Sequence, residues 1–374
     1  MKNPVLKELA LLFLKLGTIG FGGPAAHIAM MQQEVVKQRN WLTEQQFLDL
    51  VGATNLIPGP NSTEMAIHIG QERAGWRGLL VAGFCFILPA VIITGIFAWF
   101  YKQYGQLPAV QPFVFGVKPA IIAVILGAVY PMARKSIRTW ELAIIGLVVL
   151  MASLLRFNEI LLLFGAGGLA VMLHGIRNVR AGIGKNGLLL LQLIAPSAVS
   201  LTSAKLFFIF LKIGSILYGS GYVLFAFLDT ELVANGWLSR SQLVDAIAVG
   251  QFTPGPVFSA VTFVGYQING LWGAVLATVG IFLPAFVFVA LLNPFVKQMR
   301  NSTRFAVFLD AVNVASVAII LSVCWSMGVE TIVDWRAVTI AVVSLIVTFG
   351  FSRINSAWVV LGGSVLGFIL LQLH

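Results

Sequence analysis

The chain has 374 residues, 59% of them hydrophobic and only 10% charged, with a mean hydropathy of +0.93, whereas a soluble domain carries roughly a quarter charged residues. That profile excludes an ordinary soluble enzyme and describes an all-α polytopic membrane protein. The net charge of +10 does not point to nucleic acid, because Lys and Arg gather in short loops between apolar runs, as the positive-inside bias requires.

In chain order, the N-terminus "MKNPVLKELALLFLKLG" has a weakly positive start but no small-residue cleavage site, so it reads as retained. A glycine-rich "FGGPAAH" follows at 21–27, then "WLTEQQFLDLVGATNLIPGP" at 41–60. Runs long enough to cross a bilayer, about 20 residues, recur at 78–101, 112–133, 140–155, 159–173, 272–293, 305–328, 336–350 and 355–373. The stretch 188–201 is a further candidate span. Cys85 and Cys324 lie inside apolar runs without metal-type spacing and read as inert core residues.

The chain repeats itself. "FLKLGTIGFGG" at 13–23 matches "FLKIGSILYGSG" at 210–221, pairing Lys15 with Lys212 and Gly17 with Gly214 at an offset of 197. Trp41, Asp49 and Pro58 match Trp237, Asp245 and Pro254 at 196, and Gly70, Gly75, Gly78 and Pro89 match Gly265, Gly270, Gly273 and Pro284 at 195. The predicted organisation is two homologous repeats, 1–180 and 201–374, joined by a basic linker at 181–200. Basic residues exchange places between equivalent loops: "RKSIR" at 134–138 stands against Glu330 and Asp334, while Lys102 stands against Lys297, Arg300 and Arg304. Equivalent loops therefore face opposite sides, which predicts inverted-topology repeats with broken, re-entrant helices meeting at the membrane midplane.

The breaks have a local cause. Thr43 with Gln46, and Ser239 with Gln242, form capping-box patterns that start a helix just after an interfacial Trp. Pro58 and Pro254 end that helix, Gly59 and Gly255 permit an unusual turn, and Pro60 and Pro256 suit the start of a new one. In the first repeat the new N–H groups around Asn61, Ser62 and Thr63 need acceptors at membrane depth, which makes the break an anion-site candidate. A kink that merely allows close helix packing is the competing reading.

Lys15 and Lys212, in apolar helices, read either as positive charge at the site or as lysines snorkelling to an interface. Lys118 is a third candidate without a basic counterpart, since Asn313 stands at the equivalent place. Glu64 and His68, at i and i+4, share a helix face and face Ala260 and Val264 or its neighbour in the second repeat. They suit proton coupling or, equally, a hydrogen-bonded packing pair. Asp49 joins them as a proton-coupling candidate, and an interfacial role is the alternative for both Asp49 and its counterpart Asp245.

"GIGKN" at 182–186 lacks the spacing of a phosphate-binding loop, and the four histidines form no HExxH cluster. No ATP, metal or other cofactor is expected, and no catalytic residue.

The "FGGPAAH" and "PGP" segments and their degenerate second copy resemble the chromate ion transporter family in its two-domain, long-chain form, over essentially the full chain. The resemblance implies a plasma-membrane transporter, in the inner membrane if the source is Gram-negative. It would export chromate on the proton gradient as an antiporter and so confer chromate resistance. It marks Phe21, Gly22, Gly23, Pro24, His27, Asn55, Pro58, Gly59 and Pro60 in the first half, and Gly219, Gly221, Pro254, Gly255 and Pro256 in the second, with Tyr222 and Gln251 completing the binding candidates. The second copy reads "YGSGY" for "FGGPA", which favours one shared or asymmetric site. Expected partners are chromate or sulfate, protons, the lipid bilayer and a second copy in a homodimer. Sulfate or other oxyanion uptake is the alternative, and a membrane-embedded enzyme or scaffold a more distant one.

Overall fold

The computed structural model describes residues 4–21, 23–105, 107, 110–178, 203–218, 221–292, 302–351 and 354–372. The linker at 181–200, the candidate span at 188–201, Lys297, Arg300, Gly22 and Gly219 lie outside the described residues.

Among the described residues the chain is helical, without strands. The first half comprises α1 (Pro4–Ile19), α2 (Gly23–Gln32) running into a π-helical turn (Gln33–Gln38), α3 (Glu44–Thr54), α4 (Asn61–Tyr104), α5 (Gln111–Ser136), α6 (Trp140–Leu154) and α7 (Glu159–Asn178). The second half repeats the order: α8 (Ser203–Ile216), α9 (Val223–Leu228) with its π-helical turn (Asp229–Val233), α10 (Arg240–Phe252), a 3₁₀ turn (Val257–Ser259), α11 (Ala260–Leu292), α12 (Thr303–Thr331), α13 (Trp335–Gly350) and α14 (Ser356–Gln372). Four of these segments are long and apolar enough to cross a membrane, Asn61–Tyr104, Gln111–Ser136, Val257–Leu291 and Thr303–Thr331, and four shorter apolar helices accompany them. The protein is a multi-pass membrane protein.

Both capping boxes form. Thr43 and Ser239 accept from the N–H groups of Gln46 and Gln242 at 3.2 and 3.1 Å, and the two glutamine side chains accept in return from the backbone N–H groups of Thr43 and Ser239. They fix where α3 and α10 begin, and therefore where each ends at its proline.

α4 and α11 are each broken a second time. Ala74 and Gly75 leave helical geometry, Gly75 at φ 60°, and Asn269 and Gly270 do the same, Gly270 at φ 57°. Around each turn the chain doubles back, so that Gly70 packs on Gly78 and Ala82, and Gly265 on Gly273 and Ala277. This explains the glycine triplets that both halves share: one glycine adopts the left-handed turn, and two let the arms of the hairpin touch backbone to backbone.

The packing is intertwined. α1 lies on α4, α8 on α11, and α4 meets α11 across the molecule, giving a module of first-to-fourth helices from both halves. α5 packs on α13 and α14, while α12 packs on α6 and α7. Each half thus builds the second module with the other half's helices. Gly116 of α5 against Gly363 and Gly367 of α14 is one such small-residue contact.

Candidate functional site

The two proline–glycine–proline breaks dock into each other's halves. Gly59, at φ 138°, donates its N–H to the Leu217 carbonyl at 2.8 Å, and Gly255, at φ 90°, donates to the Gly20 carbonyl at 2.7 Å. Gly59 and Gly255 are equivalent positions, as are Gly20 and Leu217. Each break sits at the crossing of the other half's first and fourth helices: a Cβ on Gly255 would lie 2.9 Å from Ala90 and 3.1 Å from the Gly17 carbonyl, and one on Gly59 would lie 3.8 Å from Ala285. Pro58, Gly59, Pro60, Pro254, Gly255 and Pro256 are all buried. Irregular backbone at this depth is tolerable because the other half supplies acceptors.

Polar side chains converge on the first break. The Glu64 carboxylate folds back against Gly59 so closely that a Cβ there would overlap it. Glu64, Thr63 and His68 have no exposed surface, and Ser62 and His27 almost none. Both Glu64 oxygens, both His68 nitrogens and the Thr63 hydroxyl have no hydrogen-bond partner among the described residues. Glu64 and His68 are therefore not the hydrogen-bonded packing pair that their spacing also allowed. Leaving such groups unpaired costs about 1–3 kcal/mol each, so a cluster of them marks a place where something else is bound or moved.

His27 bridges to the second break. Its Nε2–H donates to the Gly20 carbonyl at 2.9 Å, the acceptor that Gly255 also uses, leaving Nδ1 as a buried acceptor without a partner among the described residues. At the helix start, the N–H groups of Thr63 and Glu64 already reach the Pro60 carbonyl at 2.8 and 3.0 Å. The donors left over are those of Asn61 and Ser62.

The breaks are not equivalent. Asn55 is exposed, bonding its amide to the Val51 carbonyl and accepting from Asn61 at 3.0 Å. Its counterpart Gln251 is 8% exposed and accepts from the Tyr222 and Ser356 hydroxyls. Every residue of α9 is buried, whereas only His27 and Met31 are buried in α2. The first break is open at one end and the second is covered. Gly23 and Pro24 are half-buried and Phe21 is exposed at the start of α2, while Gly221 packs near Val257 and Phe258.

The lysines sit elsewhere than a shared anion centre requires. Lys15 forms an ion pair with Glu34 at 2.5 Å, and Lys212 one with Glu231 at 2.5 Å, with lysine side chains 53% and 43% exposed. Arg39 also reaches Glu34, at 3.3 Å. Each ammonium group is held by a carboxylate of the following π-helical turn, so the structure assigns both lysines a tie between first and second helices. Glu34 and Glu231 were missed, though the signal was present, since they repeat at the same offset of 197 as the lysines. Asp49 and Asp245 also diverge. Asp49 is half-buried and accepts from Gln45 at 3.2 Å, whereas Asp245 is 4% exposed and accepts from the Tyr101 hydroxyl at 2.6 Å. An interfacial reading does not hold for Asp245.

The family model described as "Chromate transporter" matches twice, over residues 7–172 and 204–368. The chain belongs to the chromate transporter family. A chromate transport protein of Cupriavidus metallidurans is 30% identical over 372 residues, covering 97% of this chain and 93% of that one. A probable chromate transport protein of Synechococcus elongatus is 30% identical over 351 residues, covering 91% and 89%. A chromate transport protein of Pseudomonas aeruginosa is 31% identical over 324 residues, covering 82% and 77%. No solved structure matches. The double match of the chromate transporter model has its counterpart in the paired docking of the two breaks. Among the described residues no group of three or more His, Cys, Asp or Glu residues is placed to hold a metal ion.

Proposed function

We propose that the protein is a secondary transporter that carries chromate across the plasma membrane, and that the junction of the two breaks is where the oxyanion is held. The observation that carries this reading is the buried, unpartnered set at the first break, Glu64, His68 and Thr63, beside a helix N-terminus whose free donors belong to Asn61 and Ser62. The binding candidates of this reading are Asn55, Pro58, Gly59, Pro60, Asn61 and Ser62 with His27, faced by Gly221, Tyr222, Gln251, Pro254, Gly255 and Pro256. Lys15 and Lys212 act on it only through the ties that position α1 and α8.

Export on the proton gradient is the direction and energy source we infer, with Glu64 as the coupling group. An ionised Glu64 and a dianion repel one another in a poorly screened cavity. Taking up a proton with the dianion relieves that repulsion and by itself couples the two in the same direction; the exchange that export needs requires instead that the ionised carboxylate and the dianion occupy the junction by turns. The repeats, 1–180 and 201–374, are inverted in this reading. Supporting it, Arg240 at the start of α10 pairs with Asp229 and Glu330, whereas the equivalent Glu44 at the start of α3 lies 3.8 Å from Lys37, so the charge signs exchange between the two ends.

Sealed vesicles containing the purified chain test the function directly. Labelled chromate should accumulate or leave in response to an imposed pH gradient and emerge chemically unchanged. Equal movement in protein-free vesicles overturns the reading, and movement of sulfate in preference to chromate reassigns the substrate.

A further inference from the structure

Away from the junction, two cavities with charged residues in their walls share part of their lining, which comes from both halves. The larger, about 660 Å³, is lined by Arg156, Glu159, Asp229, Thr230, Arg240 and Glu330 among others. The smaller, about 210 Å³, is lined by Phe115, Lys118, Arg240, Ser241 and Glu330 among others. Both touch Arg240 and Glu330, so that ion pair stands between them.

The pair is unequal in a way that matters. Arg240 grips Asp229 with two bonds, Nε to Oδ1 at 3.0 Å and Nη2 to Oδ2 at 3.0 Å, the two-pronged fit of guanidinium to carboxylate. Its third bond, Nη1 to Glu330, is longer at 3.3 Å. The Arg240 and Asp229 side chains are each 17% exposed, but Glu330 is 54% exposed. A solvent-facing carboxylate on one long bond contributes little and is readily exchanged, whereas the Asp229 fork is fixed. Behind the partition, Lys118 donates to the Ser241 hydroxyl at 2.6 Å and makes no ion pair among the described residues, so donors of its ammonium remain free. The other carboxylates nearby are already engaged: Glu159 accepts from the Thr230 hydroxyl, and Asp245 accepts from the Tyr101 and Ser241 hydroxyls and draws on the charge of Lys118. At the rim Arg156 is exposed and makes no ion pair among the described residues.

We propose that Arg240 and Lys118 form a second oxyanion site, peripheral to the junction, in which a tetrahedral dianion displaces Glu330 from Arg240 Nη1 and bridges to the Lys118 ammonium. The smaller cavity has room for such an ion with water around it. Arg156 supplies attraction at the mouth. The site belongs to one end only, because the equivalents of Arg240, Ser241 and Lys118 are Glu44, Gln45 and Asn313. It gives the transporter a place to hold its substrate outside the junction and a partition that substrate itself opens. The proposal rests on the reading of the chain as an oxyanion carrier.

Thr331, which lines the smaller cavity, provides the probe. Thr331→Cys is made in a full chain carrying Cys85→Ala and Cys324→Ala, and its modification by a charged thiol reagent is timed. The competing ion is sulfate, since chromate oxidises thiols, with chloride at equal ionic strength as control. Sulfate should slow labelling several-fold where chloride does not, and adding Arg240→Gln should abolish the difference. In the otherwise unaltered chain Arg240→Gln should raise the half-saturating chromate concentration about tenfold, the loss of one charge-assisted contact, with Arg240→Lys intermediate. Labelling that ignores sulfate overturns the site, as does protection that survives Arg240→Gln. If Arg240→Gln does not accumulate in the membrane, Lys118→Gln replaces it in the same labelling assay with the same expected loss. A parent chain that protects Thr331→Cys with sulfate yet moves no chromate keeps the site and removes the transport reading.

Discussion

The N–H of Gly59 donates to the carbonyl of Leu217 at 2.8 Å, across the boundary between the two halves of the chain. The equivalent bond, Gly255 to Gly20, returns the favour at 2.7 Å. A helix broken at membrane depth leaves backbone groups that lipid cannot satisfy, and here each half satisfies the other's. The two breaks are therefore stable only together, which gives a physical reason for a doubled chain.

Gly59→Ala should be more damaging than Gly75→Ala. Both glycines have positive φ, but a Cβ at Gly75 meets nothing within 4 Å whereas at Gly59 it overlaps the Glu64 carboxylate. Backbone strain costs about 1–3 kcal/mol at either glycine, and at Gly59 the buried Glu64 carboxylate must in addition swing away from the break. Melting in detergent should show the smaller shift for Gly75→Ala and the larger one for Gly59→Ala. Equal shifts would mean the junction is looser than its geometry implies.

Lys15 and Glu34 should behave as a coupled pair. Lys15→Gln leaves a carboxylate that is 8% exposed with Arg39 as its remaining partner, so folded protein should decline while the chromate concentration for half-maximal transport stays put. Glu34→Gln in the same chain should recover part of the loss. A double-mutant cycle is expected to give about 1 kcal/mol of coupling, modest because the lysine is half exposed. A changed substrate affinity without a stability loss would return Lys15 to the site.

Glu64→Gln should still bind chromate but lose the pH dependence of transport. In the parent chain, protonation of Glu64 removes its repulsion of the dianion, so binding should tighten as pH falls; the amide is neutral at every pH and its profile should be flat. Transport measured across a pH series decides this. A Glu64→Gln profile that overlays the parent's moves the coupling to His68, His27 or Asp49.

Lys135 and Glu330 occupy equivalent positions in the last turns of α5 and α12, and the positive-inside bias predicts the first on the cytoplasmic side and the second outside. Single cysteines at Ser136 and Val333, in a chain lacking Cys85 and Cys324, should react with a membrane-impermeant reagent from opposite faces. Labelling from the same face would end the inverted arrangement.

Much of this molecule is written locally. Composition alone makes it a membrane protein, because so few charges cannot cover a soluble surface. The offsets of 197, 196 and 195 reveal two copies, and the capping boxes and prolines determine where α3 and α10 start and stop, since these depend on neighbours within four residues. What Lys15 and Lys212 do was decided at a distance: an apolar helix carrying a lysine looks the same whether the ammonium faces an anion or Glu34, nineteen residues on. The glycine triplets at Gly70, Gly75 and Gly78 were visible as a repeat, but only the doubling back of α4 shows that Gly75 makes the turn and that Gly70 and Gly78 leave no room for a side chain between its arms. Asp49 and Asp245 match in sequence and differ in burial because Tyr101 comes from the other half to cover one of them. Local pattern therefore fixed the class, the repeat and the breaks, whose causes are backbone sterics and hydrogen bonding within a few residues. Tertiary structure alone decided that the breaks meet, that Glu64 is enclosed without a partner, and that one end is covered while the other is open, because those follow from which helices of one half pack against the other.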